Sequence, residues 1–241
     1  VFEDHRDANA ARPDLFALIR QTPFLHWQIL TKRPENLETM LPDDWGEHGW
    51  PNVWLGTSIE DMRVAHRAKT LRRIPATVRF ISYEPALGPL DELDLFGIDW
   101  IIYGGESGPE YRRHDLAWPR AMRVKCAASK RVYANGGTML GMWRGKPVEH
   151  RYYGTEFFFK QSSAPRTEMG ITLDGETIRN YPTPLSLSDP ESFGLRKGGA
   201  VELAYLRRRD LDLGGQPGAP FYEEDPRATA RAALPLLEVD R

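Results

Sequence analysis

Residues 53–84 read VWLGTSIEDMRVAHRAKTLRRIPATVRFISYE, and their rhythm decides the fold. Residues 53–56 and 78–81 are short runs rich in aromatic and β-branched side chains, the composition of strands. Between them, residues 60–74 carry an apolar stripe at Val64, Ala65, Ala68 and Leu71, which predicts a helix with one buried face. Strand, helix and strand in succession predict parallel strands joined by a right-handed crossover.

The same alternation extends in both directions. Residues 24–30 (FLHWQIL), 100–103 (WIIY) and 157–159 (FFF) read as further strands. Helices are expected over 13–21, 34–41 and 115–130, with Pro34 suited to a first helical position; a weaker helical stretch covers 90–96. Such a pattern fits an open doubly wound sheet or a (β/α) barrel. No glycine-rich dinucleotide fingerprint follows any strand, which favours the barrel.

The chain of 241 residues is therefore expected to be a partial (β/α) barrel over 1–161, with an inserted loop at about 134–154 (ANGGTMLGMWRGKPVEHRYYG). An appendage over 162–241 follows, made of a hairpin around Leu173-Asp-Gly-Glu176 and an irregular tail. That tail has one helical segment at 226–237.

Composition narrows the function classes. Hydrophobic residues make up 41% and charged residues 27%, the balance of a globular chain. A net charge of −2 gives no overall pull toward nucleic acid, and the basic clusters at 69–73 and 207–209 read as solvated faces. No apolar run is long enough to cross a bilayer and no signal peptide is visible, so no membrane partner is expected. The lone cysteine, Cys126, lies in a helical pattern and reads as core packing. One thiol rules out an internal disulfide framework and a cysteine-held metal or iron–sulfur site within these residues, and points to the reducing cytoplasm. His66 and His114 stand alone, so no metal is assigned; Trp45, Trp50 and Trp54 read as packing.

Chemistry concentrates where strands end. The five runs finish in Thr31-Lys32-Arg33, Thr57-Ser58-Ile59-Glu60, Ser82-Tyr83-Glu84-Pro85, Gly104-Gly105-Glu106-Ser107-Gly108 and Lys160-Gln161. In a parallel α/β fold all those ends point to one face. Lys32, Glu60, Glu84, Glu106 and Lys160 would then surround one pocket as candidate catalytic groups, their charges shifting one another's pKa. Ser58, Gly104 and Gly105 are candidate cofactor contacts, the glycines because a ligand can approach backbone that has no Cβ. Each cluster also has a structural reading: Glu60 as a first-turn acid and Thr31 or Ser58 as helix caps.

The five motifs, in this order, resemble a phage-associated protein family of unknown function known for a three-cysteine motif. The resemblance spans about residues 1–182. It implies a radical-SAM-type barrel that uses S-adenosylmethionine and a [4Fe–4S] cluster held by three cysteines near the N-terminus. That region would precede Val1, so the resemblance implies an N-terminally truncated chain with no cluster ligands of its own. It also implies that Ser58 and Glu60 face the ribose or carboxylate of the ligand. In radical-SAM barrels a Gly-Gly-Glu segment meets the methionine amino group after the second strand; Gly104-Gly105-Glu106 stands later and is a pocket segment without that role. The 134–154 stretch departs from the family, which makes a short turn there.

Two other readings stand beside the enzyme of unknown substrate. A barrel hydrolase would use two of Glu60, Glu84 and Glu106, about 5–5.5 Å or 6.5–9.5 Å apart according to mechanism. A non-enzymatic protein would bind nucleic acid or a partner protein through the basic insertion and tail.

Overall fold

The computed structural model describes residues 1–182; the tail beyond Pro182, with its expected helix at 226–237 and basic cluster at 207–209, lies outside them. Five strands form one parallel sheet: β1 (Trp27–Thr31), β2 (Val53–Ser58), β3 (Val78–Tyr83), β4 (Trp100–Gly104) and β7 (Glu156–Gln161), in the order β1-β2-β3-β4-β7. Every neighbouring pair is parallel. The order never reverses, so the sheet has no topological switch point of the doubly wound kind. Among the described residues it also does not close: β1 and β7 are its outer strands, so the expected partial barrel is seen as an open five-stranded parallel sheet.

Helices α1 (Arg6–Gln21), α3 (His66–Arg72) and α4 (Ala117–Val132) bury Phe16, Ile19, Ala68, Leu71, Met122 and Cys126 in one core. That core covers the sheet face bearing Leu55, Ile81, Ile101, Tyr103, Phe157 and Phe159. The opposite face carries a smaller aromatic cluster of Trp54, Val78, Phe80, Trp100 and Phe158. Side chains alternate between faces along a strand, and both faces here are apolar; this is why the strands read as unbroken hydrophobic runs. Gly56 sits beneath the Phe80 ring, where a Cβ would come within 2.2 Å of it.

Three expectations change. The 134–154 loop is an antiparallel hairpin, β5 (Gly137–Trp143) with β6 (Lys146–Tyr152). Its turn residues Arg144 and Gly145 both have positive φ, 48° and 78°, as a two-residue primed turn requires. One hairpin face is buried through Met139, Trp143, Val148, His150 and Tyr152. The Arg144 guanidinium donates to the carbonyls of Glu38, Leu41, Pro42 and Asp43, tying the hairpin tip to the segment that ends α2 (Leu37–Met40). The expected C-terminal hairpin is only a turn closed by reciprocal Leu173–Glu176 backbone hydrogen bonds of 2.9 and 3.0 Å. And residues 90–96 form no helix; Leu90, Leu93 and Leu95 are buried from turns.

The segment after that turn covers the exposed edge of β7. Phe159 donates its N–H to the Ile178 carbonyl at 2.8 Å, Trp100 Nε1 donates to the Asn180 carbonyl at 2.9 Å, and Tyr181 packs on Trp100 and Phe158. An edge strand otherwise offers unpaired backbone groups to other chains.

Candidate functional site at the strand ends

The C-terminal ends of the strands are laced together by backbone. Ile59 N–H donates to the Ser82 carbonyl, Leu87 N–H to that of Glu60 and Ala86 N–H to that of Gly104, at 2.9–3.0 Å. Gly105 N–H donates to the Gln161 carbonyl at 2.9 Å, and Gln161 Nε2 returns a bond to the Gly105 carbonyl at 3.1 Å. These ties hold the polar side chains on a rigid edge.

Two ammonium–carboxylate pairs stand there. Lys32, just past β1, donates to Glu60, just past β2, and Arg67 from α3 donates to the other Glu60 oxygen at 3.1 Å and to the Ser58 carbonyl at 2.9 Å. Lys160 Nζ in β7 donates to Glu84 Oε2 past β3 at 2.7 Å, while Ser82 Oγ donates to Glu84 Oε1 at 3.3 Å. β4 lies between β3 and β7, so the second pair spans a strand. Gly104 makes that possible: a Cβ on it would lie 2.6 Å from Glu84 Oε2. Ser58 and Ser82 are register partners on β2 and β3, which puts Glu60 and Glu84 on adjacent strand ends.

The remaining groups are arranged differently. Glu106 turns to Arg112, taking side-chain bonds of 2.6 and 2.8 Å and the Arg112 N–H at 2.7 Å. Those donors hold its carboxyl at about 2, well below the usual carboxylate range. The space beside Gly105 is filled by Ser163 and His114, whose Nδ1 accepts from the Ser163 N–H at 3.2 Å. Burial lowers the His114 pKa, favouring the neutral ring. The space left by the two glycines is thus taken by this chain's own groups. Thr31 caps no long helix; its Oγ1 accepts from the Arg33 N–H at 2.9 Å.

Sequence reading named Lys32, Glu60, Glu84 and Lys160, which the structure joins into pairs, and Glu106, which it sets apart with Arg112. It missed Arg67, Arg112 and the His114–Ser163 contact, and named Ser82 only as part of a strand-end cluster. Arg67 had a signal, since the first turns of a helix that follows a strand lie beside that strand's C-terminal end. Among the described residues no group of three or more His, Cys, Asp or Glu is placed to hold a metal, and no helix is long and apolar enough to cross a membrane. Cys126 is buried in the helix-side core, and burial pushes its thiol up to about 12.

The fold and rim define an α/β protein with a charged, backbone-laced site at the C-terminal edge of a parallel sheet. The chain belongs to the family described as "Protein of unknown function (DUF5131)", which matches residues 2–182. No curated protein and no solved structure matches it.

Proposed function

We propose that the strand-end rim is a ligand site for a molecule carrying an amino-acid zwitterion, S-adenosylmethionine being the candidate that the family resemblance implies. The observation that carries this reading is that the carboxylates of the Lys32–Glu60 and Lys160–Glu84 pairs follow the adjacent strands β2 and β3. A ligand ammonium can replace a lysine on one carboxylate while the ligand carboxylate takes the freed lysine, so every charge stays paired. Partly exposed pairs of this kind are worth about 0–1 kcal/mol, so opening them costs little. Arg67 and Ser82 hold the two carboxylates in place during the exchange. Ser58 ends β2 beside Ser82 of β3, and Gly104 serves by leaving room for Glu84.

S-adenosylmethionine bound there would supply a methyl group or, beside a reducing cluster, a radical. The residues of this chain do not fit the [4Fe–4S] cluster of a radical-SAM enzyme: three thiolates are needed, and the one cysteine is buried in the helix-side core. The enzyme class and phage association rest on the resemblance. The hydrolase reading is weaker. It needs one carboxylic acid kept protonated, whereas Glu60, Glu84 and Glu106 each meet a cation.

The test is calorimetric titration of the full chain with S-adenosylmethionine, methionine and adenosine. The reading expects S-adenosylmethionine and methionine to bind, with affinity falling at least tenfold in Glu84→Gln and in Lys160→Met. Absence of binding to the folded protein, or binding by both variants as tight as by the unaltered chain, overturns it.

A further inference from the structure

Ser163 follows β7 by two residues, and His114 lies in the loop between β4 and α4, 49 residues away in sequence. The fold brings them together on a fixed scaffold. Ala164 N–H donates to the Glu106 carbonyl and Gly108 N–H to that of Ala164, both at 3.1 Å, so the chain after β7 runs alongside the chain after β4. Gly105 leaves room for the pair: a Cβ there would collide with the Ser163 nitrogen and lie 2.5 Å from His114 Nδ1. The Tyr103 ring meets the imidazole at 83°, centroids 5.5 Å apart, and limits its rotation. The pair is separate from the rim's ion pairs, since Gly104 faces Glu84 whereas Gly105 faces His114.

One donor in this contact fixes the position of every proton. The Ser163 N–H can only donate, so His114 Nδ1, which accepts it at 3.2 Å, carries a lone pair and the ring proton is on Nε2. Ser163 Oγ lies 3.0 Å from the same Nδ1 and accepts the His114 N–H at 3.2 Å. The hydroxyl proton is thereby directed at Nδ1. A hydroxyl within hydrogen-bond reach of an unprotonated, packed imidazole is the arrangement of an activated nucleophile with its base. Burial, which lowers the His114 pKa, keeps that base unprotonated at neutral pH. Both residues are half-buried, within reach of a substrate. Arg113 and Arg166, close to them in sequence, are exposed and carry no ion pair or hydrogen bond among the described residues. Arg63, Arg67 and Arg112, by contrast, each hold a carboxylate of the chain. Two unpaired guanidinium groups favour a substrate with an anionic group.

We propose that Ser163 and His114 are a nucleophile–base pair that hydrolyses a carboxylic ester whose anionic group is held by Arg113 and Arg166. Ser163 Oγ bonds to the ester carbonyl carbon as its proton passes to Nδ1, and the carbonyl π electrons move to oxygen. Collapse of that adduct expels the alcohol oxygen, which takes the proton from the imidazolium and leaves an acyl-serine. Water then attacks the acyl carbon, giving its proton to Nδ1, and the Ser163 oxygen departs with that proton. The products are one alcohol and one carboxylic acid, and the pair is restored. The inference stands on the Ser163–His114 geometry and does not need the zwitterion reading.

The test uses the full chain without S-adenosylmethionine. A fluorophosphonate probe, which phosphonylates activated serines, is expected to leave a single adduct, mapped to Ser163 by peptide mass spectrometry. His114→Gln is expected to slow that labelling at least hundredfold. In the unaltered chain labelling is expected to fade as pH drops through a value below 6.5, where Nδ1 takes a proton. Ser163→Ala is expected to lose the adduct and Ser162→Ala to keep it. The half-ester 4-nitrophenyl succinate is expected to be hydrolysed with kcat/KM at least tenfold above that of 4-nitrophenyl acetate. Arg113→Gln with Arg166→Gln is expected to raise KM for the succinate at least tenfold and to leave the acetate within twofold. The adduct map of the unaltered chain decides whether or not a variant folds: no adduct, or one placed elsewhere than Ser163, overturns the inference. Equal kcat/KM for the two esters overturns the assignment of an anionic substrate. A negative result here leaves the zwitterion reading standing, and a negative S-adenosylmethionine titration leaves this one standing.

Discussion

Lys160 and Glu84 meet at 2.7 Å although a whole strand lies between those that carry them. Gly104 on the intervening β4 has no side chain to block the reach, and its missing Cβ would fall 2.6 Å from the Glu84 oxygen. One hydrogen atom in place of a methyl group thus decides whether two of the site's charges come together.

Gly104→Ala is accordingly expected to separate Lys160 from Glu84. The obstructed group is a flexible side chain that can swing away, so the stability loss should be small, under about 1 kcal/mol. Ligand affinity should fall as far as in Lys160→Met. Urea unfolding paired with ligand titration separates the two effects, and a large stability loss with intact binding would count against the role given to Gly104.

Gly56→Ala should behave in the opposite way. Its Cβ would press within 2.2 Å of the Phe80 ring, inside the aromatic cluster with Trp54 and Trp100. Overpacking of a buried ring costs about 1–3 kcal/mol, so urea unfolding is expected to show a loss in that range. An unchanged midpoint would mean that this face is loosely packed.

His150 sets part of the acid stability. It is buried in β6, neither ring nitrogen has a hydrogen-bond partner in the structure, and burial together with Arg79 and His48 lowers its pKa to about 2. The unfolded ring titrates near 6.5, so the folded protein binds fewer protons between those values. The contribution is complete above pH 6.5 and is lost as pH falls toward 2, at about 1.4 kcal/mol per pH unit. Buried Asp99, raised to about 6, works in the opposite sense and loses stability as pH rises from about 4 to 6. His150→Leu is expected to flatten the fall in stability between pH 6.5 and 4.5, as read by urea midpoints across that range. An unchanged pH profile would show that the ring does not stay neutral in the fold.

Arg144→Asn should keep the hairpin turn, because Asn tolerates positive φ, while removing four bonds to the carbonyls of residues 38–43. A loss of about 1–2 kcal/mol is expected, with faster hydrogen exchange in β5, β6 and residues 38–43. Faster exchange confined to the turn itself would contradict the tie.

Much of the fold was legible because the inner strands β2, β3 and β4 are covered on both faces and read as apolar runs. The ends were set short: β2 runs to Ser58 and β3 to Tyr83, since Thr57, Ser58 and Ser82 are buried by neighbouring strands rather than by their own polarity. Helix α1 begins at Arg6, seven residues before Pro13, capped by His5 Nδ1 accepting from the Asp7 N–H; a proline mid-helix disguised its start. The hairpin was hidden by its turn, where arginine occupies a left-handed position usually signalled by asparagine or glycine. At the site, parallel topology fixed which residues share a face. Which charge meets which depended on side-chain reach over Gly104 and on Arg67 and Arg112, and strand patterns do not encode those.

The central claim, that a ligand binds among the ends of β1, β2, β3 and β7, is tested most directly by backbone amide chemical-shift mapping during addition of S-adenosylmethionine. The account expects the largest shifts at Lys32, Ser58 to Glu60, Ser82 to Glu84, Gly104 and Lys160. Shifts centred instead on Arg79, Asp99 and His150 near the opposite strand ends, or none at saturating ligand, would contradict it.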